Sequence, residues 1–582
     1  AGMSSVGPCG SGGPGDLDMP ADVVGGALDG FNFEQPPVRD GARLHREVPA
    51  ERWCVKRKDL VQFRHLVRRW VAEERMAPTE SDEFSASDNR IGPRIYTVTG
   101  QLIVPITSRA GQTSWALMLR PEGLLCDLFV THCWAEGVYE FIDKMLHSWP
   151  AKAHNAYCCM FSNPQCLDIN GLIQSPRESP FARALHAAPR MIVVPNQTCS
   201  IYGRVWCVYE AFLAYSESKV ILTASSPLPN LVPNVALVLL SILANFGVAL
   251  TILIFMLGTA IETVVVAVLM FANFAFLLVA WLIRPSHITL AIECASTVLA
   301  GVVLALAAHA FWVSLHAGEQ VAYNMYVLFC AIALCVSTLA AEVDRLRLNQ
   351  GHLEAKQLRK GYTGTVRDAT STVLEDKEKI MEELATSGLE HEVDYAIEVL
   401  LVAGASTPTL REVLLRTGMV DQAAYSKASL AVFVWVVWVS RGISRILGRA
   451  EVLGDFCASA PDECPGGIAA MMFTDPNVYV ALTGSLAALT WLVFFWHIPK
   501  DAPLRRSFAM RVLVYVLGVS ELFVLIVQFA EFAGSDGAES LWLDRVIALG
   551  VSPATLALSA AGPARVVHTP VLGSCLVRIF LA

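Results

Sequence analysis

Short apolar runs bounded by polar turns fill the first part of the chain, and apolar runs of membrane length dominate the rest. Between Leu124 and Tyr215, the runs LLCDLFVT, AYCCMF and MIVVP have the continuous hydrophobicity of strands covered on both faces of a parallel sheet. Between them lie two helical patterns. VYEFIDKMLHSW sets Val138, Phe141, Ile142 and Met145 on one side, and SPFARALHAA has Ser179 as N-cap and Pro180 at the first helical position. RVWCVYEAFLAY reads as a further helix and KVILTA as a last strand. This alternation predicts an open parallel-sheet α/β domain over 121–228 with helices on both faces.

Upstream, residues 1–52 are Gly/Pro-rich and aperiodic, the composition of a disordered segment. They contain no apolar core of a signal peptide. The chain starts without Met, as a fragment would, and the first apolar span is then expected to act as the internal membrane signal. Residues 53–120 are expected to hold a helix and a β-hairpin. The helix, over 53–76, places Leu60, Phe63, Leu66, Val67, Trp70 and Val71 on one face and Lys56, Arg57, Lys58, Arg64, Arg68 and Arg69 on the other. It reads either as a surface helix docked on the domain or as a helix lying on anionic lipid. RIYTVTGQLIVPIT and SWALMLR, separated by SRAGQT, read as the hairpin.

From residue 232 the apolar runs approach the ~20 residues that a bilayer span requires. Four fall at about 234–257, 262–283, 288–312 and 321–342, within a first membrane region, 232–343. A polar helical insert, 344–426, follows. A second membrane region, 427–565, holds three to four more runs, at about 428–447, 477–498, 508–531 and 542–562, the last interrupted by Asp544, Arg545 and Pro553. The expected architecture is thus an α/β domain joined to an all-α multipass membrane domain. Arg284, then Arg345, Arg347, Lys356, Arg359 and Lys360, then Lys500, Arg505, Arg506 and Arg511 lie in loops that share one side if the N-terminus is cytosolic. That topology puts both the α/β domain and the insert in the cytosol. Arg441, Arg445 and Arg449 end the fifth span on the opposite side, where snorkelling to the interface accommodates them.

Composition agrees with a membrane protein: 54% hydrophobic and 17% charged residues over 582 positions. A net charge of −9 argues against nucleic acid as a partner, because phosphate contacts dominate such affinity. The partner expected first is the lipid bilayer. The 15 cysteines show no paired CxxC spacing, so no metal site is expected. Cys457 and Cys464 share a loop outside the cytosol, where a disulfide is allowed. Within the spans, Glu293, His309 and Glu521 are ionisable, and Asn245, Asn273 and Gln528 are polar neighbours. Such groups point by default to an ion or solute pathway, yet Glu293 and His309 lie near span ends.

The α/β segment resembles a Toll/interleukin receptor (TIR) domain over about 122–225. Asp127-Leu-Phe-Val-Thr-His132 is similar to the family's first strand, Phe141 and Leu146 fit its first helix, and SPFARALHAAPRMIVVPN resembles its later helix and strand. IYGRVWCVYEAF resembles the Trp-Cys-x-x-Glu helix. The loop SNPQCLDINGLIQSPRESP carries no Arg-Asp-x-x-Pro-Gly box, and the domain ends close to the first span. The resemblance implies a flavodoxin-like fold, and self-association or pairing with other TIR-like domains. It also implies NAD as a substrate, cleaved at the nicotinamide–ribose bond with Glu210 as the catalytic carboxylate.

At the strand C-termini, where open α/β sheets bind ligands, the pocket candidates are Thr131, His132, Trp134, Asn163 and Trp206. Glu210 reads alternatively as a solvated or capping residue on a helix packed by Trp206, Val208 and Phe212. His132 reads as a loop-end residue with a hydrogen-bond partner or as an acid–base group. Cys207 is a weak candidate nucleophile beside it, and Cys158 and Cys159 read as core. The expected role is membrane-tethered signalling or sensing, with NAD cleavage open. The alternative is a channel or transporter with a regulatory cytosolic domain.

Overall fold

The three continuous apolar runs become three adjacent parallel strands. The computed structural model describes residues 32–403 apart from 168–174, 258–262, 283–286 and 318–320, together with scattered positions beyond 403. The strands are β1 (Val55–Lys56), β2 (Leu128–Thr131), β3 (Asn155–Cys158), β4 (Arg190–Val193) and β5 (Val220–Thr223), in the order β1-β3-β2-β4-β5. β2 is central and parallel to both neighbours, with Phe129 opposite Tyr157 on one side and Met191 on the other. All four of its residues are buried, as a strand between two covered faces requires. Short β1 pairs antiparallel with β3, so the sheet is mixed.

In chain order the helices of this part are α1 (Gly41–Glu47), α2 (Arg57–Ala72), α3 (Ile95–Val98), α4 (Val104–Arg109), α5 (Trp115–Leu119), α6 (Val138–Ser148), α7 (Cys159–Ser162), α8 (Pro180–Ala187) and α9 (Val205–Ser216). Ser179 caps α8 as its sequence demands, accepting from the Ala182 N–H. α8 and α9 pack on β2 and on each other. The six apolar positions of α2 are all buried, and α2 packs on α6. Arg64 of its polar face forms a two-pronged pair with Asp143 at 2.7 and 2.9 Å. The helix is therefore docked on the domain.

Two expectations fail here. The hairpin is a helical stretch: α3 and α4 are joined by a π-turn, Thr99–Ile103, and α5 follows. Ile95, Val98, Leu102 and Ile106 are fully buried, and their spacing of three and four residues is helical. The period-two alternation that also runs through the segment is coincidental. Pro105, which lacks an N–H, follows directly on the widened turn.

The second is the extent of the disordered segment, since α1 falls inside its last part. Asp40 caps the helix, and backbone bonds from Arg39 to Ala110 and from Gly41 to Gly111, both 2.9 Å, fix it to the chain. A Cβ on Gly41 would stand 2.3 Å from the Gln112 carbonyl oxygen, so this approach needs glycine.

Longer helices follow the sheet: α10 (Leu231–Ile252), α11 (Thr263–Leu282), α12 (His287–Ala317), α13 (Val321–Arg359) and, after a polar turn, α14 (Leu374–Ser387) and α15 (Glu390–Ala403). Among the described residues three stretches, 231–255, 290–317 and 327–359, are long and apolar enough to cross a membrane. α10 leaves Leu237, Leu240, Leu243 and Val248 exposed, an apolar surface that water tolerates poorly. Val266, Met270, Val303, Leu306, Val327 and Leu334 form the shared core of α11–α13. Gly301 lets α12 approach α10, since a Cβ there would lie 2.5 Å from the Ile242 carbonyl oxygen. The apolar runs expected after residue 427, with Cys464, Glu521, Arg441, Arg445 and Arg449, lie outside the described residues.

The chain divides into two compact units. One holds the chain up to Lys219 with residues 223–231 and Gln357–Ile397, and the other holds residues 232–356. Part of the expected insert thus folds with the α/β domain. Val205 N–H donates to Thr370 O at 3.0 Å and Thr370 N–H to Gly203 O at 2.7 Å, which ties the returning segment to the start of α9.

Candidate functional site

β2 ends at Thr131, and from His132 the chain turns through Cys133-Trp134-Ala135-Glu136 into α6. The neighbouring β3 ends in Cys158 and bends at once into the single turn α7, starting with Cys159. Because the two strands are parallel and in register, Val130 opposite Cys158, both turns emerge at the same sheet edge.

The His132 side chain is fully buried. Its Nδ1 lies 3.1 Å from Glu136 Oε1, whose side chain is also fully buried. Its Nε2 lies 3.1 Å from Cys159 Sγ and 3.5 Å from Cys158 Sγ. The Trp134 indole N–H donates to Cys159 Sγ at 3.1 Å. Asn163 closes the turn: its N–H donates to Cys159 O at 3.1 Å and its side chain accepts from Tyr157 OH. Three candidates from the sequence, His132, Trp134 and Asn163, therefore converge on Cys159. Cys158 is buried, but Cys159 is half-exposed and is not core. Cys207 points its thiol at the His132 carbonyl oxygen, 3.5 Å away, and so does not meet the imidazole.

Glu210 is buried at 7% exposure, which removes the solvated reading. Burial raises its carboxyl to about 7, with the Thr131 hydroxyl and the His132 charge acting the other way. That hydroxyl makes no hydrogen bond of full geometry. Burial likewise lifts Glu136 to about 7 against the opposing bond to His132, and Glu136 Oε2 has no hydrogen-bond partner. Burial disfavours a charged His132 ring, yet Cys159 and Cys158 outweigh it and hold the ring protonated well above the usual imidazole range. Beside it, the Cys199 thiol draws Cys133 down to about 6 against the effect of burial, helped by the Ala135 N–H and the Arg204 and His132 charges.

Trp206 stands apart from this cluster. Its indole N–H donates to Asp376 of α14 at 3.0 Å, and Tyr209 OH one turn away donates to Glu383 at 2.7 Å. Arg177 also holds Glu383, at 2.7 Å. The returning segment therefore covers the part of α9 that was expected to line a pocket. In the apolar helices, Glu293 faces Arg345 at 3.5 Å, and Arg345 also pairs with Glu342. Asn273 accepts from Ser296 at 2.6 Å, and His309 is half-buried. Cys457 is disulfide-bonded.

The residues that sequence reasoning passed over are Glu136, Lys144 and Gln357. Glu136 stands four residues after His132, a spacing that carried a signal. Lys144 is buried at 1% exposure on α6, where Nζ reaches Glu140 Oε1 at 2.9 Å, Pro195 O at 2.5 Å and Gln357 Oε1 at 3.1 Å. Among the described residues no cluster fits a metal ion. No protein-family model, no curated protein and no solved structure matches this chain.

Proposed function

We propose that this chain is a membrane-anchored signalling protein. In this reading the α/β domain is a cytosolic, TIR-like interaction module, and the apolar helices form a multipass anchor that senses or transmits. One observation carries it. α13 is a single 39-residue helix whose apolar part is long enough to span a bilayer, and its last turn belongs to the α/β unit. There Gln357 accepts from buried Lys144, and Lys360 donates to Gln197 O at 2.9 Å. A shift of the helix along its axis would pull on the β4–α9 loop, which flanks the strand C-termini. The parallel β3-β2-β4 arrangement, with the Trp206–Glu210 helix packed on β2, supports the TIR-like part.

The test is proximity cross-linking of two differently tagged full-length copies on native membranes. Cross-links through the α/β domain are expected, and their absence at all expression levels removes the interaction module.

Glu210 favours a second reading, NAD cleavage. A carboxylate beside the ribose can hold its hydroxyls and stabilise an oxocarbenium-like transition state. With the group raised to about 7, the active ionised form grows as pH rises through neutrality. Full-length protein in nanodiscs should release nicotinamide from NAD with that pH dependence, and Glu210→Gln should abolish it. No turnover at high protein concentration ends this reading and leaves the signalling role standing.

A further inference from the structure

Cys159, a partly exposed residue, heads a chain of contacts that neither the anchor nor Glu210 uses. We propose that Cys159 is a nucleophile toward acyl groups carried on a good leaving group, with His132 as its general base and Glu136 as the residue that positions the ring. The geometry has the three parts that such a device requires: a reachable nucleophile, a base within hydrogen-bond distance and an orienting group on the base's far nitrogen. Sγ to Nε2 is 3.1 Å, and Nδ1 to Oε1 is 3.1 Å. Of the three residues only Cys159 is partly exposed, since the His132 and Glu136 side chains are fully buried.

A second N–H points at the same atom. The indole of Trp134 is a donor only, so its 3.1 Å contact favours a sulfur rich in electrons. The groups facing the imidazole come from every element around it. They are Cys158 of β3, Cys159 of α7, Glu136 and Cys133 of the turn before α6, the Phe141 ring of α6 at 4.7 Å, and Glu210 of α9, whose Cys207 thiol turns instead to the His132 carbonyl oxygen. The Cys158 and Cys159 sulfurs stand at one ring nitrogen and the Glu136 carboxyl at the other, a setting that favours the imidazolium formed when the thiol gives up its proton.

The step balances with no further reagent. With the Cys159 proton on His132 Nε2, the thiolate forms a C–S bond to the acyl carbon. The bond to the leaving alkoxide or thiolate breaks, and His132 returns the proton to it. Water, deprotonated by the same nitrogen, then splits the thioester to the free acid and restores the thiol. A base that returns its proton to a leaving group is what acyl transfer needs, and disulfide exchange does not require one.

The test uses purified full-length protein in nanodiscs with para-nitrophenyl acetate near neutral pH. The expected result is a burst of para-nitrophenolate near one per chain, with the acetyl group mapped to Cys159 by mass spectrometry. Cys159→Ser should lose both. His132→Gln should slow the burst by at least ~10²-fold, the usual contribution of a positioned base. Glu136→Gln should keep the adduct but move the pH profile of the burst rate, which a merely structural role would not do. Cys166→Ser, altering a thiol that contacts Thr107 and Ser108, should change nothing. A burst that survives Cys159→Ser, acetyl spread over several cysteines, or an unmoved profile in Glu136→Gln overturns the proposal. If His132→Gln fails to fold, the wild-type adduct decides: acetyl on Cys159 alone upholds it, and acetyl elsewhere or nowhere overturns it.

Discussion

Replacing Lys144 by Met removes one partner of a buried charge network while keeping most of its volume. Nζ donates to Glu140 Oε1, Pro195 O and Gln357 Oε1 within 3.1 Å, and the residue is 1% exposed. The variant strands the Glu140 carboxyl, itself only 6% exposed, in a site that water does not reach. Breaking a buried pair from one side costs about 3–5 kcal/mol, which for a domain of this size is roughly a 6–20 °C fall in melting temperature. The assay is thermal proteolysis of the α/β unit in full-length protein held in nanodiscs. Glu140→Gln combined with Lys144→Met removes the stranded charge and should recover more than half of the loss. A single variant melting within a degree of wild type, or a double variant no better than the single, would refute the reasoning.

Three further outcomes follow from the same physics. Glu210 and Glu136 are raised to about 7 by burial, above their unfolded values, so the stability they confer is full below about pH 4.5 and is lost as pH rises through 7. The difference in melting temperature between wild type and Glu210→Gln should therefore shrink from pH 5 to pH 8, roughly in step with that titration, and a constant difference would contradict the burial of this carboxyl. Gly111→Ala sets a Cβ 1.7 Å from Arg39 O at a φ of +89°, so α1 should detach and residues 39–52 should become sensitive to protease while the sheet persists. Phe63→Ala opens the fully buried contact with Trp115 and Phe161 and should cost about 3–5 kcal/mol in chemical unfolding.

Much of the sheet was legible because its strands are continuous apolar runs too short for helices. β2 falls inside the segment that the pattern marks, and β3, β4 and α9 each overrun theirs by a single residue. The apolar face of α2 was legible residue by residue. The stretch 95–109 was not, because Ile95, Val98, Leu102 and Ile106 satisfy a helical period while their neighbours mimic a strand's, and only the tertiary core decides between them. The site was legible in part. His132 and Glu210 stood out as ionisable groups at strand and helix positions. Cys159 was hidden because AYCCMF looks like one uninterrupted strand, whereas the strand ends at Cys158 and the bend lifts Cys159 out of the core. The contacts of Gln357 and Asp376 with the domain were hidden by distance along the chain, since no local pattern signals a segment that returns after the apolar helices.

The central claim is that α13 joins a membrane-length helix to the α/β site through its last turn. Hydrogen exchange on the full-length protein in nanodiscs tests it directly. The account predicts strong protection at 357–360, weaker but measurable protection at 195–198, and faster exchange in both segments when Gln357 is changed to Ala. Exchange at 357–360 typical of a frayed helix end, or a Gln357→Ala effect confined to its own turn, would contradict it.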